Sequence, residues 1–203
     1  MLTAEQLVKA LLEAQLSSAE EKIFGDFLEE LAIHVANVTL NAHKSSSTGI
    51  DLEYAKNNTH YLVSIKSGLN WGNSSQWREL EGNFKNAIKI LKQSSHVKHV
   101  EAILGVSYGK EATKIKKGFI LQVCGQAFWH LITNDDAFYV KIVRPIGFKA
   151  KERNEDFNQK KAAMINKFTK EFIETYCDKG GNIIWERIVE ANSKNMTEID
   201  KKI

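Results

Sequence analysis

The chain has 203 residues, with 28 Lys and Arg against 25 Asp and Glu, so its formal charge at pH 7 is +3. An apolar fraction of 43% and a charged fraction of 26% are typical of a globular protein and exclude a disordered chain. Cys124 and Cys177 are too few for a disulfide framework, which favours a reducing compartment. No secretion signal or apolar run of membrane-spanning length is present, so we predict a soluble, cytoplasmic protein.

Hydrophobic periodicity predicts mostly helices, with a few short strands between them. A capping-box pattern at Ser17 and Ser18 predicts that a new helix begins there, with an apolar stripe that includes Phe24, Phe27 and Leu28. The predicted helices are 2–14, 17–37, 77–93, 126–133, 136–143, 152–176 and 185–191. The predicted strands are 49–54, 61–66, 100–108 and 118–124, and the last two are expected to form a hairpin. Val38 to Ala42 is a candidate for one further strand.

The first two strands carry the residues with the clearest chemical potential. Apolar residues alternate with Asp51 and Glu53 on one strand, and with Ser64 and Lys66 on the next. Side chains two residues apart share a face of a strand, so these polar groups are expected to project together from a hairpin. Two carboxylates and an ammonium are the groups that a divalent cation and an anionic substrate require.

This arrangement resembles the PD-(D/E)xK nuclease superfamily, in which an aspartate on one strand precedes a lysine at the end of the next. The run VSIKSGLNWGNSSQ, residues 63–76, is similar to that of small type II restriction endonucleases. The resemblance implies an α/β (α+β) fold with a mixed central sheet flanked by helices. It also implies Mg²⁺-dependent hydrolysis of double-stranded DNA at a short specific site, giving 5′-phosphates. Ile50 stands where the pattern has proline, and Ser64 stands where it has the second acid.

The roles of three residues follow from this resemblance. Asp51 is expected to bind the metal, with the backbone carbonyl of Ile65 as a second ligand. Lys66 is expected to orient the attacking water and to offset charge in the transition state. The alternative is that Asp51 and Lys66 form an exposed ion pair of little energetic consequence.

Because Ser64 cannot act as a charged ligand, another acid is needed. Glu53 shares the face of Asp51, and Glu79 and Glu81 lie on the following helix. Helical geometry places Glu81 at the border of the apolar stripe and directs Glu79 into solvent, so Glu81 is the preferred candidate.

The first long helix offers Glu29 and Glu30 as further candidates. Gly25-x-x-x-Glu29 resembles a helix motif of resolvases. Helical geometry instead favours Glu30, because Glu30 flanks the expected apolar stripe.

Polar and basic side chains near Lys66 and in the segment 109–117 are candidates for contacts with DNA. The alternatives are an ordinary helix cap at Ser74 or Ser75 and a solvated hairpin tip. The candidates are Ser64, Asn70, Asn73, Ser74, Ser75, Gln76, Lys114 and Lys116.

Together these features predict one nuclease domain over 1–203, with an N-terminal helix (1–16), a catalytic core (17–125) and a helical C-terminal part (126–203). Palindromic DNA sites favour a homodimer. The remaining alternatives are a structure-selective resolvase or repair nuclease, and a DNA-binding protein on the same fold without catalysis.

Overall fold

The computed structural model describes residues 2–94, 97–143 and 150–193, apart from the side chains of residues 94 and 150–154. The described helices are α1 (Ala4–Leu40), α2 (Ser74–Ser94), α3 (Gln126–Thr133), α4 (Phe138–Lys141), α5 (Ala150–Tyr176) and α6 (Trp185–Ala191). The described strands are β1 (His43–Lys44), β2 (Leu52–Lys56), β3 (Thr59–Lys66), β4 (His99–Val106), β5 (Lys114–Lys116) and β6 (Ile120–Cys124). They form one mixed sheet in the order β1-β2-β3-β4-β6-β5, which confirms the predicted fold class.

The chain divides into two compact units. Residues 20–148 contain the whole sheet with α2, α3 and α4, whereas residues 1–19 and 149–203 form a helical unit. The predicted single domain, with boundaries at 16 and 125, stays a prediction. Within the helical unit, Lys161 and Glu13 form an ion pair with a 3.1 Å Nζ–Oε1 distance.

The hairpin of β2 and β3 confirms the clearest strand prediction. Asn57 and Asn58 both have positive φ, 51° and 58°, so they form a tight turn that matches the twist of the two strands. Leu52 pairs with Val63, and this antiparallel register brings the segment before β2 to the end of β3. Asp51 and Lys66 therefore lie at the same edge of the sheet.

The predicted hairpin of the third and fourth strands is wrong. Strands β4 and β6 are parallel, with Ala102 opposite Ile120, and the short strand β5 is the antiparallel neighbour of β6. The segment between β4 and β6 therefore crosses to the outer side of β6 instead of turning directly. Strand β3 is also parallel to β4, so β3, β4 and β6 end at one edge.

Helix α1 corrects two further predictions. It is continuous from Ala4 to Leu40, so no helix begins at Ser17, and the segment Val38 to Ala42 does not form a strand. The capping box is instead at Thr3: the Gln6 N–H donates to Thr3 Oγ1 at 3.2 Å, and the Thr3 N–H donates to Gln6 Oε1 at 2.9 Å. A capping pattern inside a helix has no free N–H groups to satisfy.

Two apolar layers cover the sheet. On one face, α1 and α3 pack against residues such as Val63 and Ile65, and on the other face α2 packs against residues such as Leu62 and Leu104. The buried side chains of α1 in this layer are Leu28, Ala32 and Ala36, whereas the predicted Phe24 and Phe27 are each 42% exposed. The buried face of α1 is thus rotated from the predicted stripe.

No helix in the described ranges combines the length and apolarity needed to cross a bilayer.

Candidate active site

The Asp51 carboxylate is held against the end of β3. Its Oδ2 accepts a hydrogen bond from the Ile65 N–H at 2.5 Å and one from the Ser64 hydroxyl at 3.3 Å. Ser64 is fully buried. The residue that replaces the expected second acid thus orients the first acid, and within the described chain Asp51 Oδ1 keeps no hydrogen-bond partner.

Lys66 ends β3 beside this carboxylate. Its Nζ lies 5.6 Å from the ring centroid of Trp71, a cation–π distance, and Lys66 makes no ion pair with any described residue. Trp71 also packs on Trp77, with 4.7 Å between ring centroids. The ammonium group is therefore positioned by an aromatic ring while its charge remains available to an anion.

Glu29 of α1 lies in the electric field of both residues. Its pKa is raised, first because the carboxyl group is partly buried and second because of the negative charge of Asp51, while Lys66 lowers it to a lesser extent. Glu30, the preferred candidate in this helix, is exposed. Glu29 is therefore close enough to Asp51 and Lys66 for their charges to change its pKa.

The position of Glu29 follows from the rotated face of α1. Ala32 and Ala36 lie three and seven residues after Glu29 and are fully buried, so Glu29 is on the side of the helix that faces the sheet. The predicted stripe gave more weight to large apolar residues than to alanines. Alanines at these spacings were the signal that could have identified Glu29.

A cavity of about 230 Å³ lies on the opposite face of the sheet, beside Ser64 and Lys66. The residues of α2 that line it include Gln76, Glu79 and Asn83, which share one helix face. Glu79 is exposed to solvent, as expected, and it also lines this cavity.

Glu81 lies elsewhere on α2. Its carboxylate pairs with Lys85 at 2.6 Å, and the hydrogen bond with Lys85 lowers the pKa of Glu81. The structure does not bring Glu81 to Lys66 or Asp51 through any described contact.

Glu53 belongs to a separate histidine cluster. Its carboxylate lies 3.2 Å from His43 Nε2 and 3.0 Å from His60 Nε2. Both carboxylate oxygens of Glu53 are thus engaged by histidines of β1 and β3. Among the residues that the structure describes, no three His, Cys, Asp or Glu side chains are grouped as a metal site.

Two predicted DNA contacts are part of the helix cap of α2. The Asn73 side chain accepts hydrogen bonds from the N–H groups of Ser75 and Gln76, at 3.0 and 3.1 Å. Gln76 Oε1 accepts one from the Asn73 N–H at 2.9 Å. Asn73 is therefore the N-cap, instead of Ser74 or Ser75. Asn70, Ser74 and Ser75 are exposed beside this cap.

The two lysines of β5 have different surroundings. Lys114 pairs with Glu111 at 2.7 Å, whereas Lys116 Nζ lies 5.7 Å from the ring centroid of Trp77. Trp77 contacts Trp71, so Lys116 and Lys66 lie at the two ends of one aromatic pair. Lys116 thus belongs to the surface around Lys66. The positive charge of Lys114 is offset by the carboxylate of Glu111.

Comparison with known protein families gives a match over most of the chain. Residues 1–154 match the family described as type II restriction endonuclease EcoO109I. The matched range includes Glu29, Asp51 and Lys66. No curated protein matches the chain.

Proposed function

Because the chain belongs to the family of the type II restriction endonuclease EcoO109I, we propose that it is a Mg²⁺-dependent enzyme that hydrolyses both strands of DNA at a short specific site. The observation that carries this proposal is the grouping of Glu29, Asp51 and Lys66 at the ends of β2 and β3. We expect 5′-phosphate products.

The two carboxylates suit a hard divalent cation. Asp51 keeps one oxygen without a hydrogen bond in the described chain, and Glu29 has a raised pKa because burial and Asp51 disfavour its charge. A bound cation would relieve this repulsion. Mg²⁺ prefers oxygen ligands and commonly takes only one or two protein carboxylates. We therefore assign Asp51, Glu29 and the carbonyl of Ile65 as the ligands of Mg²⁺.

Each polar residue at this edge then has a distinct task. Bound Mg²⁺ supplies charge neutralisation at the phosphate and lowers the pKa of coordinated water. Ser64 and the Ile65 N–H hold the Asp51 carboxylate in one orientation. Lys66, steadied by Trp71, would orient the attacking water and stabilise the negative charge of the transition state. Ser64 is buried, so we assign it this orienting task in place of a DNA contact.

The DNA backbone would lie along the exposed polar surface around this edge. Asn70, Ser74 and Ser75 are exposed, and Lys116 adds positive charge beside Trp77. Such groups contact phosphates and fix the orientation of the duplex.

We also propose a homodimer, because a palindromic site requires two equivalent active sites. The helical unit has apolar side chains that support this proposal: Leu11, Trp185 and Val189 are 60%, 52% and 62% exposed. Sedimentation velocity at micromolar concentration tests it, and a monomer in the presence of specific DNA would contradict it.

The test of the catalytic proposal is incubation of plasmid DNA with wild-type protein, Lys66→Ala and the control Lys56→Ala, with and without Mg²⁺. Lys56 lies on the same hairpin and is exposed. We expect discrete fragments that need Mg²⁺, and a loss of about 10²- to 10⁴-fold in rate for Lys66→Ala alone. DNA binding by both variants, measured by fluorescence anisotropy, separates catalysis from affinity.

Other outcomes of this assay would redirect the proposal. Cleavage of branched but not linear duplexes would favour a resolvase. DNA binding by the wild type without cleavage would favour a non-catalytic DNA-binding protein on this fold.

A further inference from the structure

A second cavity, of about 470 Å³, lies where β4 and β6 end and is lined by residues of the sheet-containing unit. Ser107 follows β4 directly, and Gly125 follows β6. The Ser107 N–H donates to the Lys66 carbonyl at 2.8 Å, so this cavity adjoins the strand that carries the catalytic lysine. The open space beyond the ends of parallel strands is a common place for ligands in sheets of this kind.

Four of the twelve residues that line this cavity carry aromatic rings. Phe24, Tyr108 and Tyr139 are 42%, 52% and 42% exposed, and Trp129 is buried beneath them. The rings of Phe24 and Tyr108 are 6.2 Å apart and inclined by 37°. Partly exposed rings around a buried floor can bind a flat ring against their open faces, because stacking needs only an apolar face.

Ser107 contributes a hydrogen-bonding group that nothing in the described chain satisfies. The residue is 4% exposed, and its hydroxyl has no hydrogen-bond partner among the described residues. Its backbone carbonyl is occupied by the Trp129 indole N–H at 2.8 Å, so only the hydroxyl is free. A buried polar atom without a hydrogen-bond partner lowers stability unless a ligand or a water molecule forms the missing hydrogen bond.

Lys110 adds a positive charge to the same wall. Aromatic faces, one buried hydroxyl and one ammonium are complementary to a planar ring that has polar edges and carries a phosphate. Apolar ligands would leave Ser107 and Lys110 unused, and an inorganic anion would not use the rings.

We propose that this cavity binds one nucleotide unit, with the base stacked against the exposed aromatic rings, a polar base atom on Ser107 and the phosphate near Lys110. The nucleotide unit has two possible sources, a base unstacked from the DNA substrate and a free mononucleotide. The first source rests on the proposed function, because it requires DNA at the adjoining active site. Binding of an extruded base in the cavity would have to offset the free-energy cost of unpairing that base, and this cost is smallest at a mismatch.

The first experiment titrates each of the four deoxynucleoside 5′-monophosphates into the full-length protein by calorimetry, in EDTA. We expect saturable binding by the wild type. Ser107→Ala is expected to weaken it about 2- to 10-fold through the lost hydrogen bond. Tyr139→Leu is expected to weaken it about 5- to 150-fold through lost stacking.

The chain offers a matched control for each variant. Thr169 in the helical unit also has a buried hydroxyl without a partner in the described chain, and Phe157 is 40% exposed. Removal of either unpartnered hydroxyl, in Ser107→Ala or Thr169→Val, should leave the melting temperature unchanged or higher. Only Ser107→Ala should weaken nucleotide binding, and Phe157→Leu should bind as the wild type does.

The second experiment uses a duplex that contains the cleavage site mapped from plasmid fragments, with or without one mismatch beside the cut. If the base comes from DNA, the mismatch tightens binding to the wild type, and Ser107→Ala and Tyr139→Leu lose this gain. Mononucleotide binding without a mismatch effect assigns the cavity to a free nucleotide.

The proposal is overturned if mononucleotides do not bind and the mismatch has no effect, or an effect that both cavity variants retain. It is also overturned if Ser107→Ala and Thr169→Val change binding equally. Failure of the wild type to cut plasmid DNA would refute the proposed function alone. The mononucleotide titration would then be the only test of whether the cavity binds a nucleotide.

Discussion

Gly49 lies two residues before Asp51 and lines the cavity beside Lys66, and its replacement by alanine tests the geometry of the site. Its φ is +71°, in the left-handed region, where a side chain costs about 1 to 2 kcal/mol. A Cβ at this position would also lie 2.1 Å from Asn83 Nδ2 and 2.9 Å from Asn83 Cγ, well inside van der Waals contact. We expect this clash to add about 1 to 3 kcal/mol, so Gly49→Ala should cost about 2 to 5 kcal/mol of unfolding free energy.

The two contributions can be separated by a control and a second mutation. Gly118 has a similar φ of +78°, but a Cβ there would meet no atom within 4 Å, so Gly118→Ala reports the backbone strain alone. Asn83→Ala removes the clashing side chain. Urea denaturation followed by tryptophan fluorescence should show Gly49→Ala in the Asn83→Ala background costing only about 1 to 2 kcal/mol, close to Gly118→Ala.

Cleavage should follow the same pattern. A shift of the Gly49 segment moves Asp51 relative to Lys66, so Gly49→Ala should slow cleavage more than Gly118→Ala does. The reasoning is refuted if both glycine variants lose the same stability in the wild-type background, or if Asn83→Ala leaves the cost of Gly49→Ala unchanged.

Two further predictions follow from the site and the core. The folded-state pKa of Glu29 lies above its ordinary value of 4.5, so the folded form binds the proton more tightly, and stability falls as pH rises from 4.5 through the raised pKa. Glu29→Gln should therefore be at least as stable as the wild type at pH 7 yet cleave DNA about 100-fold more slowly or worse. The control Glu30→Gln should change neither the cleavage rate nor the pH dependence of stability. Thermal melts from pH 4 to 8 and plasmid assays check these outcomes. Gly105→Ala would bring a Cβ within 2.2 Å of the buried Phe128 ring and should destabilise by about 1 to 3 kcal/mol. Gly82→Ala, in α2 and without neighbours within 4 Å, should instead stabilise by about 1 kcal/mol in the same urea titration, and equal effects would contradict this account.

Local patterns were sufficient wherever adjacent residues decide the structure. The alternation in β2 and β3 predicted the hairpin, and the periodicity of residues 77–93 predicted helix α2. The run of residues 63–76, which includes Lys66, predicted the family, and the match over residues 1–154 confirms it. These features depend on neighbours in the chain or on one repeated helix face, so one sequence contains them.

Contacts between distant segments decided the rest. The partner of β6 depends on how the 109–117 segment crosses the sheet, and turn residues alone do not distinguish a hairpin from a parallel crossover. The acid beside Asp51 depends on the rotation of α1 about its own axis.

The sequence by itself thus determined the β2–β3 hairpin, the family, and the position of Asp51 and Lys66 at the same edge of the sheet. Only the tertiary structure decided that the charge of Asp51 raises the pKa of Glu29 and that the buried Ser64 hydroxyl orients the Asp51 carboxylate. The physical reason is that α1 packs closely through the small Ala32 and Ala36, whereas its large Phe24 and Phe27 remain partly exposed. Side-chain size along a helix does not specify which face fits against a sheet, because that fit depends on the shape of the opposing surface.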